Sequence, residues 1–171
     1  MRIAVSNSGP LIHLAKVGLI DFLLRLFDKI LIPESVYDEV VIKGKEKGHS
    51  DALIIEQAIL DNKIEVKKVE IGNEEYISSK LHQGELKAIK LTFNSKTKLI
   101  LLDDEEARIF ARGLNLKVKG TLGILIDLVK NGHFNLKKAF HYLRELNSIM
   151  YLSSDVYNYV ADELKKIHRT K

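Results

Sequence analysis

Short apolar runs alternate along this chain with longer stretches in which apolar residues recur every three to four positions. Five runs rich in Ile, Val and Leu stand out, at residues 3–5, 30–32, 64–69, 99–102 and 116–118. Those at 3–5, 30–32 and 99–102 are wholly apolar, as a strand covered on both faces should be, whereas a strand with one wet face alternates. Strands separated by helical segments are the pattern of βαβ units stacked into a parallel sheet.

The intervening segments have readable ends. Pro10 suits the first turn of a helix carrying Leu11, Leu14 and Ala15, and Gly18 breaks it before a second helix at 20–26. Pro33 repeats the device and opens a helix over 34–41. Ser50 is placed to cap a helix over 51–60, whose Leu53, Ile54, Ala58 and Ile59 form an apolar stripe. Further helices are predicted over 74–81, 84–93 and 105–114, the last ended by Gly113 and Asn115. After the fifth strand the pattern is purely helical, over 122–130, 136–146 and 155–167, with Ser154 as cap of the last. These segments predict a single α/β domain spanning 1–171, with a core at about 2–129 and a helical C-terminal extension at about 130–171.

Composition narrows the class. The chain has 171 residues, 46% apolar and 29% charged, which is ordinary for one globular domain and excludes collagen-like and wholly disordered readings. It has no Cys, so disulfide scaffolds, thiolate metal sites and cysteine nucleophiles are impossible. Asp21 and Arg25 interrupt the longest apolar stretch, and Asn7, Ser8, Gly9 and Pro10 break the first apolar run before it could serve as a signal peptide. A cytoplasmic protein with no membrane association is the expectation. The net charge of +4 suits a polyanionic partner without requiring one.

In an open parallel sheet, ligands bind beyond the carboxyl ends of the strands where strand order reverses. Ser6, Asn7 and Ser8 follow the first strand, Asp103 and Asp104 the fourth, and Gly120 and Thr121 the fifth. Glu39, in the helix after the second strand, and Glu85, after the turn His82, Gln83, Gly84, are two acids that join this set. Carboxylates gathered at a sheet edge repel one another unless a cation neutralises them, and hard oxygen donors select Mg²⁺ or Mn²⁺. That combination suits phosphoryl chemistry.

The segments VSNSGPLIHLAKVGLIDFLLRLF, LIPESVYDEVV, LHQGELKAIKL and LILLDDEEARIFARGLNLKVKGTLGIL resemble, in that order, the PIN domain. The resemblance is closest to the PIN-like branch near the VapC-type toxins and covers residues 2–129. It implies a three-layer α/β/α fold on a five-stranded parallel sheet of order 3-2-1-4-5. It also implies cleavage of single-stranded or structured RNA with Mg²⁺ or Mn²⁺ held by three or four acids. On this chain the family's acids fall at Asn7, Glu39, Glu85 and either Asp103 or Asp104, and Thr121 matches a polar position that supports the metal. Ser6 and Ser8 flank Asn7 as supporting groups. This sequence departs from the family at Asn7, where PIN nucleases carry Asp. An amide oxygen can ligate a hard cation but brings no charge and cannot act as a base.

Each residue also has a structural reading. Asn7 among Ser, Gly and Pro can be a plain turn; Glu39 can be a solvent-facing helix acid; Glu85 at a helix start is favoured by the dipole alone. One of Asp103 and Asp104 is expected to be the N-cap of the next helix. The six histidines show no metal-ligand spacing. Lys80, Lys87 and Lys90 flank Glu85 and are the cations expected beside an RNA backbone, whereas Tyr37 and Tyr76 are too few to make a stacking platform. The expected function is a PIN-type ribonuclease, the toxin of a toxin-antitoxin pair, with RNA and an antitoxin protein as partners and a homodimer by family analogy. The alternative is a PIN-like binding module weakened in catalysis by Asn7.

Overall fold

The computed structural model describes residues 1–72 and 81–169. Five parallel strands, β1 (Ile3–Ser6), β2 (Lys29–Pro33), β3 (Ile64–Lys67), β4 (Leu99–Leu101) and β5 (Lys117–Lys119), form one sheet of order β3-β2-β1-β4-β5. The order reverses at β1, which pairs with β2 (Ile3 opposite Lys29) on one side and with β4 (Ser6 opposite Leu101) on the other. Strand residues divide by parity. Ala4, Ile30, Ile32, Ile64 and Leu101 belong to one buried cluster, and Val5, Leu31, Ile100 and Leu102 to a second. Successive side chains of a strand point to opposite faces, so two clusters mean a sheet covered on both sides.

The larger cluster is built on α1 (Ser8–Lys16), α2 (Ile20–Leu26), α3 (Glu34–Tyr37), α4 (Lys43–Glu46) with the π-turn Asp38–Ile42 before it, and α5 (Ser50–Leu60). The helices α8 (Thr121–Lys130), α9 (Leu136–Met150) and α10 (Ser154–Arg169) complete that face. Among the described residues, α6 (Gln83–Asn94) and α7 (Glu105–Gly113) cover the other. Ala139, Leu143, Leu146, Val160 and Leu164 are buried in the same cluster as Leu11 and Leu14, so the C-terminal helices pack on the sheet-side core directly. Truncating a fully buried Leu such as Leu143 to Ala typically costs about 2–5 kcal/mol.

Several boundaries differ from the sequence expectation, each for a local reason. The helix predicted over 34–41 runs on to Glu46 because the π-turn at Asp38–Ile42 absorbs one extra residue without breaking it. Pro33 is not in the first turn; it ends β2 and is the N-cap of α3. Ser50 is already helical and His49 precedes it as N-cap. Ser154 is likewise helical, and the Ser153 hydroxyl accepts from Val156 N–H (3.3 Å). The third strand stops at Lys67 because Val69 N–H donates to Glu34 Oε2 (2.8 Å) instead of the ladder. The fifth begins at Lys117 because Leu116 N–H closes the end of α7 on the Ala111 carbonyl (3.1 Å). The ninth helix extends to Met150 and stops where Tyr151 turns left-handed (φ 53°). The helix expected over 74–81 falls, as to 74–80, outside the described residues, together with Tyr76 and Lys80. Among the described residues no helix is long and apolar enough to cross a membrane.

Candidate active site

The switch point between β1 and β4 opens into a pocket of about 460 Å³, lined by Asn7, Ser8, Gly9, Glu39, His82, Gly84, Glu85, Asp103 and Asp104. Residues far apart in sequence meet here because three connections end at the same edge. Asn7 leaves β1 with its N–H on the Leu101 carbonyl (3.1 Å), which fixes it beside the end of β4. Asp103 and Asp104 follow Leu102, and Glu85 opens α6.

Asn7 Oδ1 is buried and has no hydrogen-bond partner among the described residues. An orphaned buried acceptor costs about 1–3 kcal/mol unless something meets it. A Cβ placed on Gly84 would stand 3.5 Å from this oxygen, so the glycine leaves the approach to it open.

Glu39 lies in the π-turn and is exposed, while the next two residues, Val40 and Val41, are buried. Its Oε2 accepts from Ser8 Oγ (2.5 Å), which ties α1 to that turn. Glu85 is buried, 6% exposed, and its Oε2 accepts the His82 N–H (2.9 Å) at the start of α6. Burial raises its pKa above the ordinary glutamate value, the His82 N–H opposes this, and the neighbouring carboxylates Asp104 and Glu39 add to the rise. Three acids thus feel one another across the pocket.

The two aspartates have different partners. Asp103 Oδ1 accepts from Thr121 N–H (2.7 Å), and Oδ2 accepts from Thr121 Oγ1 (2.6 Å) and pairs with His13 Nδ1 (2.7 Å). Gly120 makes this possible: a Cβ there would collide with the Arg108 guanidinium and stand 2.9 Å from Asp103 Oδ1 and 3.2 Å from the Leu102 carbonyl. A carboxylate has about four acceptor positions, so three donors fix its orientation and leave room for one more ligand. Asp104 is the N-cap of α7, its Oδ1 accepting from Ala107 N–H (2.9 Å). One of the pair was expected to be that cap.

The pocket therefore brings together Asn7, Ser8, Glu39, Glu85, Asp103 and Asp104, with Thr121 one layer behind. Ser6 is buried and donates to its neighbour's carbonyl at Asn7 (2.9 Å). Lys87 and Lys90 are half-buried on α6 and do not line the pocket, and Lys80 lies outside the described residues. Sequence reasoning missed His13, Arg108, His82 and Gly84. His13 had a signal: it stands four residues after Gly9, on the same helix face, and Gly9 packs on Asp103.

The donors are hard oxygens, one of them neutral and unpartnered, and that chemistry fits Mg²⁺ or Mn²⁺. Among the described residues no three Asp, Glu or His side chains close on a single point as they stand. The set is convergent in position and in field, and open in geometry.

A doubly wound sheet with carboxylates at its switch point is the class to which fold and site belong. The family model described as a PIN domain matches residues 3–166, and the chain belongs to the PIN domain family. PIN domains are generally nucleases that depend on a divalent metal. The match runs through the C-terminal helices. No curated protein matches the chain. Among solved structures, a domain of a functionally unknown protein from Methanocaldococcus jannaschii is similar at 17% identity, covering 70% of this chain and 91% of that one, with a TM-score of 0.48. A PilT N-terminus domain protein from Sulfolobus solfataricus is similar at 17% identity, covering 78% and 98%, with a TM-score of 0.46. Likenesses at this level carry no weight of their own.

Proposed function

We propose that the chain is a Mg²⁺- or Mn²⁺-dependent ribonuclease that hydrolyses RNA phosphodiester bonds at the pocket of Asn7, Glu39, Glu85, Asp103 and Asp104. The observation that carries this reading is the buried, partnerless Asn7 Oδ1 facing the same pocket as Glu85, whose carboxyl is held in the presence of two like charges.

In this reading Glu39, Glu85 and Asp103 would hold the ion, with the Asn7 amide oxygen as a neutral ligand. When bound, the ion acidifies a water and offsets charge on the phosphate oxygens. The chain's own groups do the rest. Thr121 and His13 hold Asp103 in one orientation, as outer partners do for ligating carboxylates. Ser8 holds Glu39, and the His82 N–H holds Glu85. Asp104 keeps α7 capped and adds negative field. In the cell the activity would be that of a toxin, neutralised by an antitoxin protein and carried out by a homodimer.

The test uses the purified chain with and without Mn²⁺. Cation that binds only the folded state raises the melting temperature, and single-stranded RNA is cleaved. Both effects vanish in Asp103→Asn, whereas Asp104→Asn, which keeps the cap because Asn caps as well as Asp, retains the thermal shift. No shift and no cleavage in the parent would sink the reading. Asn7 favours a second one, a binding module that has lost catalysis. It predicts RNA binding without cleavage, with activity gained in Asn7→Asp if only the missing charge is at fault.

A further inference from the structure

The five strands enter the sheet through a row of cations. In sheet order, Lys63, Lys29, Arg2, Lys98 and Lys117 stand at, or one residue before, the starts of β3, β2, β1, β4 and β5. Backbone hydrogen bonds set their main chains side by side, and the register puts Lys63, Lys29 and Lys98 on one face of the sheet and Arg2 and Lys117 on the other, so the cations rim both faces of this edge. Ile30 N–H donates to the Lys63 carbonyl (3.1 Å), Lys29 N–H to the Arg2 carbonyl (3.4 Å), and Lys117 N–H to the Lys98 carbonyl (2.7 Å). Thr97 Oγ1 donates to the Ile3 carbonyl (2.9 Å), which joins the approach to β4 to β1.

Two grooves open on this edge. One, about 390 Å³, is lined by Arg2, Lys96 and Lys98; the other, about 560 Å³, passes Lys29 and reaches Lys67 and Lys68. Phe93, 51% exposed on the last turn of α6, adjoins Asn94 and Ser95, and Ser95 lines both grooves.

Part of this charge has a local cause. The helices α2, α5, α6 and α7 end at this edge, each just before a strand, and a helix C-terminus carries roughly half a negative charge. Those four ends, with Asp28, Asp61 and Glu65, bring roughly five negative charges against the six positive ones of Arg2, Lys29, Lys63, Lys96, Lys98 and Lys117, which leaves a small positive excess. Asp28 already accepts the Arg2 N–H (2.5 Å), and Glu65 is shared between Lys29 (3.6 Å) and Lys67. Among the described residues, Lys63, Lys96, Lys98 and Lys117 have no carboxylate within ion-pair distance.

We propose that this amino edge of the sheet, with Phe93 beside it, is a docking surface for the phosphate backbone of single-stranded RNA, at the opposite pole from the carboxylate pocket. Ammonium groups in a row meet successive phosphates, and an exposed ring beside them accepts a stacked base; this is the chemistry of single-strand binding. Strands of this length place the edge on the order of 10–15 Å from the pocket, so a strand held here needs only a short further length to reach the acids. The choice of polymer rests on the ribonuclease reading.

The test measures binding of the full chain to a labelled single-stranded RNA by fluorescence anisotropy in EDTA, where cleavage plays no part. The variant Lys96→Gln, Lys98→Gln, Lys117→Gln, checked for an unchanged melt, is expected to bind at least about tenfold more weakly. Its slope of log affinity against log salt should be shallower by about 2, since each single-strand phosphate contact contributes about 0.7. Phe93→Ala is expected to weaken binding with the slope unchanged. Parent-like affinity in the triple variant, no RNA binding by the parent, or preferential binding of phosphatidylglycerol vesicles that RNA cannot displace overturns the proposal. Cleavage is assayed separately with Mn²⁺. Edge-dependent binding without cleavage would leave the docking surface standing and remove the nuclease, and cleavage with no edge dependence would do the reverse.

Discussion

The two edges of the sheet are made by the same five strands and carry opposite charge. At the carboxyl edge, Glu39, Glu85, Asp103 and Asp104 gather around a neutral Asn7, and each acid is tied to a donor from another element or from the first turn of its own helix. At the amino edge, lysines face solvent and most have no carboxylate to meet them. Burial explains the contrast for Glu85 and Asp103, whereas Glu39 and Asp104 are exposed and are held by Ser8 and by the start of α7. Glu85 and Asp103 sit where water is excluded, so each must be hydrogen-bonded; the lysines of the other edge keep their charge in water at little cost. The acidic edge is consequently specific in geometry and the basic edge only in charge.

The sharpest break of this comparison is Asp103→Ala. It leaves Thr121 N–H, Thr121 Oγ1 and His13 Nδ1 without their acceptor, at about 1–3 kcal/mol for each buried group left unsatisfied. For a domain of this size each kcal/mol lowers Tm by about 2–4 °C, so even at about 1 kcal/mol per group thermal melts should show a fall of roughly 6–12 °C, with no Mn²⁺-dependent rise and no cleavage. The amino-edge triple variant should melt like the parent.

Glu85→Gln separates charge from structure. The amide still accepts the His82 N–H, so the fold should hold, while activity falls at least about 100-fold, the upper range seen even for residues that only support a ligand. Its stability at neutral pH should match or exceed the parent's. In the parent, the folded pKa of Glu85 lies above its unfolded value, so the folded state binds the proton more tightly. Stability is then greatest in acid and declines as pH rises from the unfolded pKa through the folded one. Melts across that window should slope downward for the parent and be flatter for Glu85→Gln; identical profiles would show that the buried carboxyl is not the cause.

Gly120→Ala should destabilise by about 1–3 kcal/mol, because the new methyl collides with Arg108 and crowds Asp103 and the Leu102 carbonyl. Gly84→Ala is the mildest change. Its methyl makes ordinary contact with Asn7 Oδ1 at 3.5 Å, so stability should stay within about 0.5 kcal/mol of the parent while Mn²⁺ affinity, read by titrated melts, falls a few-fold. An unchanged affinity would show that the Asn7 oxygen is not a ligand.

Much of this was legible in the chain. Runs of Ile, Val and Leu marked the three inner strands because strands wet on neither face have few polar positions to hide them, whereas the edge strands β3 and β5 carry Glu65, Lys67, Lys117 and Lys119 among their apolar residues. The pairing of Glu34 with Val69 N–H and of Leu116 N–H with Ala111, which trimmed two of those strands, has no composition signal. The residues after β1 and β4 announced the site because a parallel sheet delivers its ligands there. Asp104 was legible as a cap only as one of a pair, since an Asp that accepts a helix N–H and an Asp held by Thr121 and His13 look alike in sequence.

The sequence by itself determined that five strands alternate with helices in a parallel sheet and which acids follow which strand, because hydrophobic period and chain connectivity are local properties. Tertiary structure alone decided that Asn7 Oδ1 is buried without a partner among the described residues, that His13 from the first helix braces Asp103, that Ser8 meets Glu39 in a π-turn, and that five separated cations come to one edge of the sheet. Those facts depend on which side chains are excluded from water together, and that exclusion exists only once the sheet has closed between its two layers.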